Sequence, residues 1–158
     1  MIAVMPNSSF KLTPHRGGLT QGLAATRQTP ESSMKRDWDT VRELLTKIEE
    51  CSQPGEITRL SSFPAERAAE ISYHIELLLE AGLVDGQMSK SIHRGPHDFI
   101  ATRLTWRGHE FLDSIRSETV WQKTKKVFAT KGIEMTVDLV KSVATEAASA
   151  VLKGAIGG

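Results

Sequence analysis

The stretch from Ile71 to Leu112 leaves the fewest options for how this chain can fold. It opens with ISYHIELLLEAGLV, in which Ile71, Ile75 and Leu78 recur at helical spacing, with Ala68 before them and Leu79 beside them. The run halts at Gly82, which suits the left-handed residue that closes a helix because it has no Cβ to clash. Leu83 to Met88 and Phe99 to Leu104 then read as the two arms of a β-ribbon. In the second arm, Phe99, Ala101 and Arg103 alternate with Ile100, Thr102 and Leu104, the period of a half-buried strand. Ser89 to Asp98, with Gly95-Pro96 at its tip, is the intervening loop. Thr105 can cap the next helix, which presents Phe111, Leu112 and Ile115. None of these pieces buries its apolar face alone, so they predict a shared interior.

The flanks extend the same pattern. Trp38, Val41, Leu45 and Ile48 form one helical stripe, with Asp37 placed to cap it and Gln53-Pro54-Gly55 to end it. Glu56 to Leu60 is short enough to pair as an edge strand with the ribbon. Ser62 as a cap and Pro64 in the first turn signal a helix start. Little room remains between Gly55 and Ile71, so either a preceding helix is a single turn or Pro64 to Ala81 is one rod. The fold class is mainly α with a small β-ribbon: a winged helix-turn-helix core over residues 34–117, with C-terminal helices over 118–157.

In that extension, Trp121, Lys125 and Phe128 mark an amphipathic helix ending at Gly132. From Met135 to Leu152, Val137, Val140, Val143, Ala144, Ala147, Ala148 and Val151 share one side and Asp138, Lys141, Ser142, Glu146 and Ser149 the other. A face of small residues gives little burial per turn, and such a helix needs a partner. One expectation is a homodimer through Val140, Val143, Ala147 and Val151; the other is that the helix folds back on its own domain.

Residues 1–33 contain Pro6, Pro14, Pro30 and Gly17-Gly18, a single acid, Glu31, and no helical or strand period, which predicts a disordered extension. Their acid-poor, Ser-rich character also suits an organellar transit peptide, although Pro6, Pro14 and Gly17-Gly18 would break its amphipathic helix. A start placed too far upstream is a third reading, because Met34-Lys35-Arg36-Asp37 looks like the beginning of a folded domain.

Lys and Arg (20) nearly balance Asp and Glu (19) in 158 residues, so any attraction to nucleic acid or acidic lipid must be local. The single cysteine, Cys51, has no partner for an intramolecular disulfide and fits a reducing compartment. No apolar run nears the roughly 18 residues that span a bilayer, and the N-terminus lacks a secretory signal. These features predict a soluble, cytoplasmic protein without membrane contact.

Taken together, MKRD, YHIELLLEAGLV, TRLTWRGHEFLDSIR and TVWQKTK, running from Met34 to about Lys131, resemble the bacterial and phage family catalogued as domain of unknown function 2513. The resemblance implies a winged-helix core and a prokaryotic or phage setting, and it brings no catalytic residues. Where the family usually has a Ser followed by acids before the YH pair, this chain has Arg67, Ala68 and Ala69.

A DNA-reading winged helix would place the helix ending at Gly82 in the major groove and its wing against phosphate or the minor groove. Opposite the apolar stripe, however, lie Glu66, Ala69, Tyr73, Glu76 and Glu80. Ala65 to Gly82 holds one Arg against four Glu, a surface that phosphate repels. The wing offers Lys90, Arg94, Arg103 and Arg107 against Asp98, with His93 and His97 adding charge below neutral pH. Lys123, Lys125, Lys126 and Lys131 form a second basic group. The leading expectation is double-stranded DNA bound through the wing, with Ser72, Tyr73, Lys90, Arg94, Arg103 and Arg107 as contacts. The alternative is a winged helix used for protein contact.

No phosphate-binding glycine loop, nucleophile elbow, metal-hydrolase helix or motif-placed carboxylate pair occurs, so neither catalysis nor a cofactor is expected. His93 and His97 stand at i, i+4, but Gly95-Pro96 between them forbids the helix that would align two imidazoles on a metal. His74 reads as a packed residue bonded to backbone and Cys51 as inert. Trp38 and Trp121 read as core, and Trp106 as either a lid on the core or an exposed contact.

Overall fold

The computed structural model describes residues 34–51, 55–89 and 96–156. Helix α1 spans Trp38–Glu50. Asp37 caps it, its carboxylate accepting from the amides of Asp39 (3.4 Å) and Thr40 (3.0 Å). The helix buries Trp38, Val41, Leu44, Leu45 and Ile48, the stripe read from the sequence with Leu44 added.

Two 3-10 turns follow, Leu60–Ser62 and Ala65–Arg67, before α2 begins at Ala68–Glu80. The preceding helix is thus the single turn Leu60–Ser62, while Ala65–Arg67 runs directly into α2, so most of the expected Pro64 to Ala81 rod is also present; Ser62 ends a turn instead of capping α2. Pro64 explains the break: the residue before a proline is driven toward extended backbone, and Phe63 lies at φ −122°, ψ 159°. Gly82 ends α2 at φ +66°, as its lack of a Cβ allows.

Strands β1 (Val84–Met88) and β2 (Phe99–Leu104) pair antiparallel. Asp85 pairs with Arg103 but Gly86 with Ala101, which leaves Thr102 as the extra residue of a β-bulge. Simple alternation would have turned Arg103 inward with Phe99 and Ala101, and Leu104 outward. The bulge resets the phase, so Leu104 is buried and Arg103 exposed. The expected edge strand is reduced to Thr58, which bridges Ala101 through both backbone hydrogen bonds (2.8 and 2.9 Å).

Helix α3 (Trp106–Ile115) is capped by Thr105, whose hydroxyl accepts from the Gly108 amide at 3.0 Å. Helix α4 (Glu118–Lys131) is capped by Ser117 and ends at Gly132. Helix α5 (Val137–Ile156) turns back onto α4 and α3 of its own chain. Val120, Trp121, Phe128, Val140 and Ala144 of these last helices belong to the same core as Trp38, Ile71, Phe99 and Phe111. Among the described residues, no helix is long and apolar enough to cross a membrane.

Candidate functional site

The outward face of α2 is set by how its inward face is held. Ile71, Ile75 and Leu78 are buried, and His74, also buried, anchors the helix at both ring nitrogens. Its Nε2 accepts from the Asp37 amide (2.8 Å), so Nδ1 carries the hydrogen and donates to the Glu70 carbonyl (2.7 Å). The predicted packed role of His74 matches this geometry.

Arg67, the one cation between Ala65 and Gly82, is turned toward α1. Its guanidinium donates to both carboxylate oxygens of Glu43 (2.9 and 3.0 Å) and to Glu70 (3.0 and 3.1 Å). These bonds, followed by one from the Thr40 hydroxyl, hold the Glu70 carboxyl down to about 2. Thr40 Oγ1 lies 2.6 Å from both Glu70 Oε1 and Asp37 Oδ2, and its single hydrogen serves one of them at a time. With Arg67 engaged, Glu66, Glu76 and Glu80 stand exposed on the outer face. None of the three pairs with a cation among the described residues.

Beside these acids is a cleft of about 330 Å³ lined by Met34, Ala69, Tyr73, Glu76, Pro96 and His97. Tyr73 is half-buried, its ring edge-on to His74 with centroids 5.3 Å apart. The loop end of the hairpin is tied to α2 at this point. Ser72 Oγ accepts from the His97 amide and donates to the His97 carbonyl, each at 2.9 Å.

Of the residues expected to touch DNA, Ser72, Arg103 and Arg107 are each engaged by other groups of the chain. Ser72 is only 5% exposed and engaged with His97, so it is a brace for the hairpin loop and not an open contact. Arg103 pairs with Asp85 across the hairpin. Arg107 reaches Asp138 of α5 (3.2 Å) and the Ala81 carbonyl (3.4 Å). Exposed pairs of this kind add little stability, but they cancel the cation's field at a distance. Of the four that are described, Tyr73, half-buried, is the one partly open on the α2 face; Lys90 and Arg94 lie outside the described residues, as does His93.

The residues expected at a dimer contact are likewise divided. Val140 is fully buried against the chain's own core, which removes it from any open surface, while Val143, Ala147 and Val151 are half-buried. Trp106, left open as lid or contact, is 80% exposed, its Nε1 donating to Glu110 at 3.0 Å. Sequence reasoning did not assign the Arg67 clamp, although the i, i+3 spacing of Arg67 and Glu70 was a visible signal. Its second arm, to Glu43, joins separate helices and left no local trace.

These features define a mainly helical domain around a two-stranded antiparallel hairpin, with an acidic helix face outward. The chain belongs to the family described as "Hypothetical protein (DUF2513)", whose match covers residues 35–134, as the resemblance of its MKRD to TVWQKTK segments implied. An "Uncharacterized protein" of Haemophilus influenzae is 36% identical over 119 residues, spanning 75% of this chain and 99% of that protein. No solved structure matches the chain.

Proposed function

We propose that this protein is a winged helix used to hold a protein partner, docking a Lys- or Arg-bearing segment against the outer face of α2. The order of elements supports the winged-helix reading: α1, the Thr58 bridge, the two 3-10 turns in place of a middle helix, α2, then the hairpin. The carrying observation is that Arg67 is committed to Glu43 and Glu70, while Glu66, Glu76 and Glu80 face solvent and pair with no cation among the described residues. Duplex DNA presents about one negative charge per 1.7 Å of axis, so a groove-entering helix with this face would be repelled. Tyr73 and the adjoining cleft supply the apolar contact that a peptide needs and a phosphate backbone does not.

The second reading is duplex DNA bound chiefly through the hairpin loop. It draws on Lys90 and Arg94 in the sequence and on the common use of the scaffold, which is a weak warrant by itself. Fluorescence anisotropy separates the two. Labelled random-sequence duplex is expected to show no binding even at low salt. A labelled Lys/Arg-rich peptide is expected to bind the wild type and to weaken when Glu66, Glu76 and Glu80 are all changed to Gln. Duplex binding at low salt that disappears in the double variant Arg94→Ala, Arg103→Ala would overturn the protein-partner reading.

A further inference from the structure

A groove of about 480 Å³ runs between α4 and α5, on elements other than the α2 face. Its floor is apolar and made of small side chains: Val127 from α4, with Val143, Ala147 and Ala150 from α5. One rim carries Lys123, Lys126 and Lys131; the facing rim carries Glu146. On each helix these residues recur every three or four positions, so two parallel stripes border the groove. That arrangement is the seat into which the ridge of a third helix packs.

The charges on the lysine rim are uncommitted. Lys125 is held by Asp39 at 3.0 Å and Lys141 by Glu110 at 2.6 Å. Among the described residues, Lys123, Lys126 and Lys131 pair with no carboxylate. The α5 wall also lies beyond the residues matched by the family, 35–134.

We infer that this groove binds an amphipathic helix of a partner protein, one whose apolar stripe of medium-sized residues is flanked by Asp or Glu on the side facing α4. Charge complementarity and the recessed apolar floor together select that occupant. Nucleic acid would meet the lysines but leave Val127, Val143 and Ala147 uncovered. Among the described residues a second copy is the poorer match: the acidic face of α2 supplies only Ala69 and Tyr73 as apolar contacts, and on α5 Glu146 already edges the chain's own groove while the segment 147–156, though apolar, contains no acid.

The test uses the full chain and a fluorescein-labelled synthetic helix about five turns long, with Leu at i, i+3, i+4 and i+7 and Glu elsewhere. Two controls accompany it, one with Gln in place of Glu and one with the Leu pattern scrambled. The Glu peptide is expected to bind and the scrambled peptide not to, with the Gln peptide weaker. Combined reversal of Lys123, Lys126 and Lys131 to Glu is expected to weaken the Glu peptide by about tenfold or more. Ala147→Trp, which fills the floor, is expected to abolish binding with the rim intact. Should Ala147→Trp fail to fold, the charge reversal, confined to exposed side chains, still decides. Equal binding of the Glu and scrambled peptides, or undiminished binding after charge reversal, would refute the inference. So would displacement of the peptide by random duplex DNA. A concentration-dependent dimer in light scattering that Ala147→Trp dissolves would give the groove to a second copy and equally overturn it.

Discussion

Changing Gly108 to Ala is the sharpest test of how α3 is seated. In an ordinary helix that change stabilises by up to about 1 kcal/mol, because alanine has the better helix propensity. Here a Cβ on residue 108 would lie 2.0 Å from the Leu83 carbonyl oxygen and 3.0 Å from its carbon, with Leu104 Cβ at 3.3 Å. The obstacle is backbone, which cannot rotate away as a side-chain tip can. Relief requires the first turn of α3 to move by roughly 1 Å, since overpacked interiors yield through backbone shifts that cost about 1–3 kcal/mol. That movement also strains two hydrogen bonds: Thr105 N–H to the Leu83 carbonyl (3.0 Å) and Thr105 Oγ1 to the Gly82 carbonyl (2.7 Å). Adding about 1 kcal/mol for each bond weakened and subtracting the propensity gain leaves a net loss of about 2–4 kcal/mol. Urea unfolding followed by helical circular dichroism measures it directly, with Gly154→Ala as the control. A Cβ at residue 154 of α5 meets nothing within 4 Å, so that variant should gain a few tenths of a kcal/mol. If Gly108→Ala proved as stable as the wild type, the close seating of α3 on Leu83 would be wrong.

Two further outcomes follow from polar groups in the fold. Thr58 is 1% exposed and its Oγ1 has no hydrogen-bond partner among the described residues; Thr58→Val, nearly isosteric, should raise stability by about 1 kcal/mol, and a loss in thermal melting would mean the hydroxyl is satisfied. Glu70 is held down to about 2, so its contribution is present above the ordinary carboxyl value of 4.5 and lost as pH falls from there toward 2. Its side chain is 38% exposed, so solvent screens part of the effect. Stability of Glu70→Gln should therefore vary less than wild type between pH 4.5 and 2, and parallel acid-unfolding curves would show that the Arg67 clamp does not form in solution.

Several features of the protein were decided by neighbours along the chain and were legible for that reason. Asp37, Thr105 and Gly82 act within one helical turn of their own position, where short-range sterics and unpaired amides dictate which residue fits. The buried stripes of α1, α2 and α3 follow from the helical period alone, because whichever surface the helix meets, its apolar side must meet it. Which charges remain free, and what faces what, depended on contacts between distant segments. Arg67 and Glu43, Arg107 and Asp138, and Ser72 and the His97 backbone are joined only after the helices and hairpin have packed. The bulge at Thr102 exchanged the faces of Arg103 and Leu104 because burial in the assembled core outweighed simple alternation. Helix α5 carried the same small-residue stripe under either expectation. Only its docking on α3 and α4 committed Val140 to the interior and left Val143 and Ala147 along a groove edged by lysines, since a local pattern says that a face must be covered and the tertiary arrangement determines what covers it.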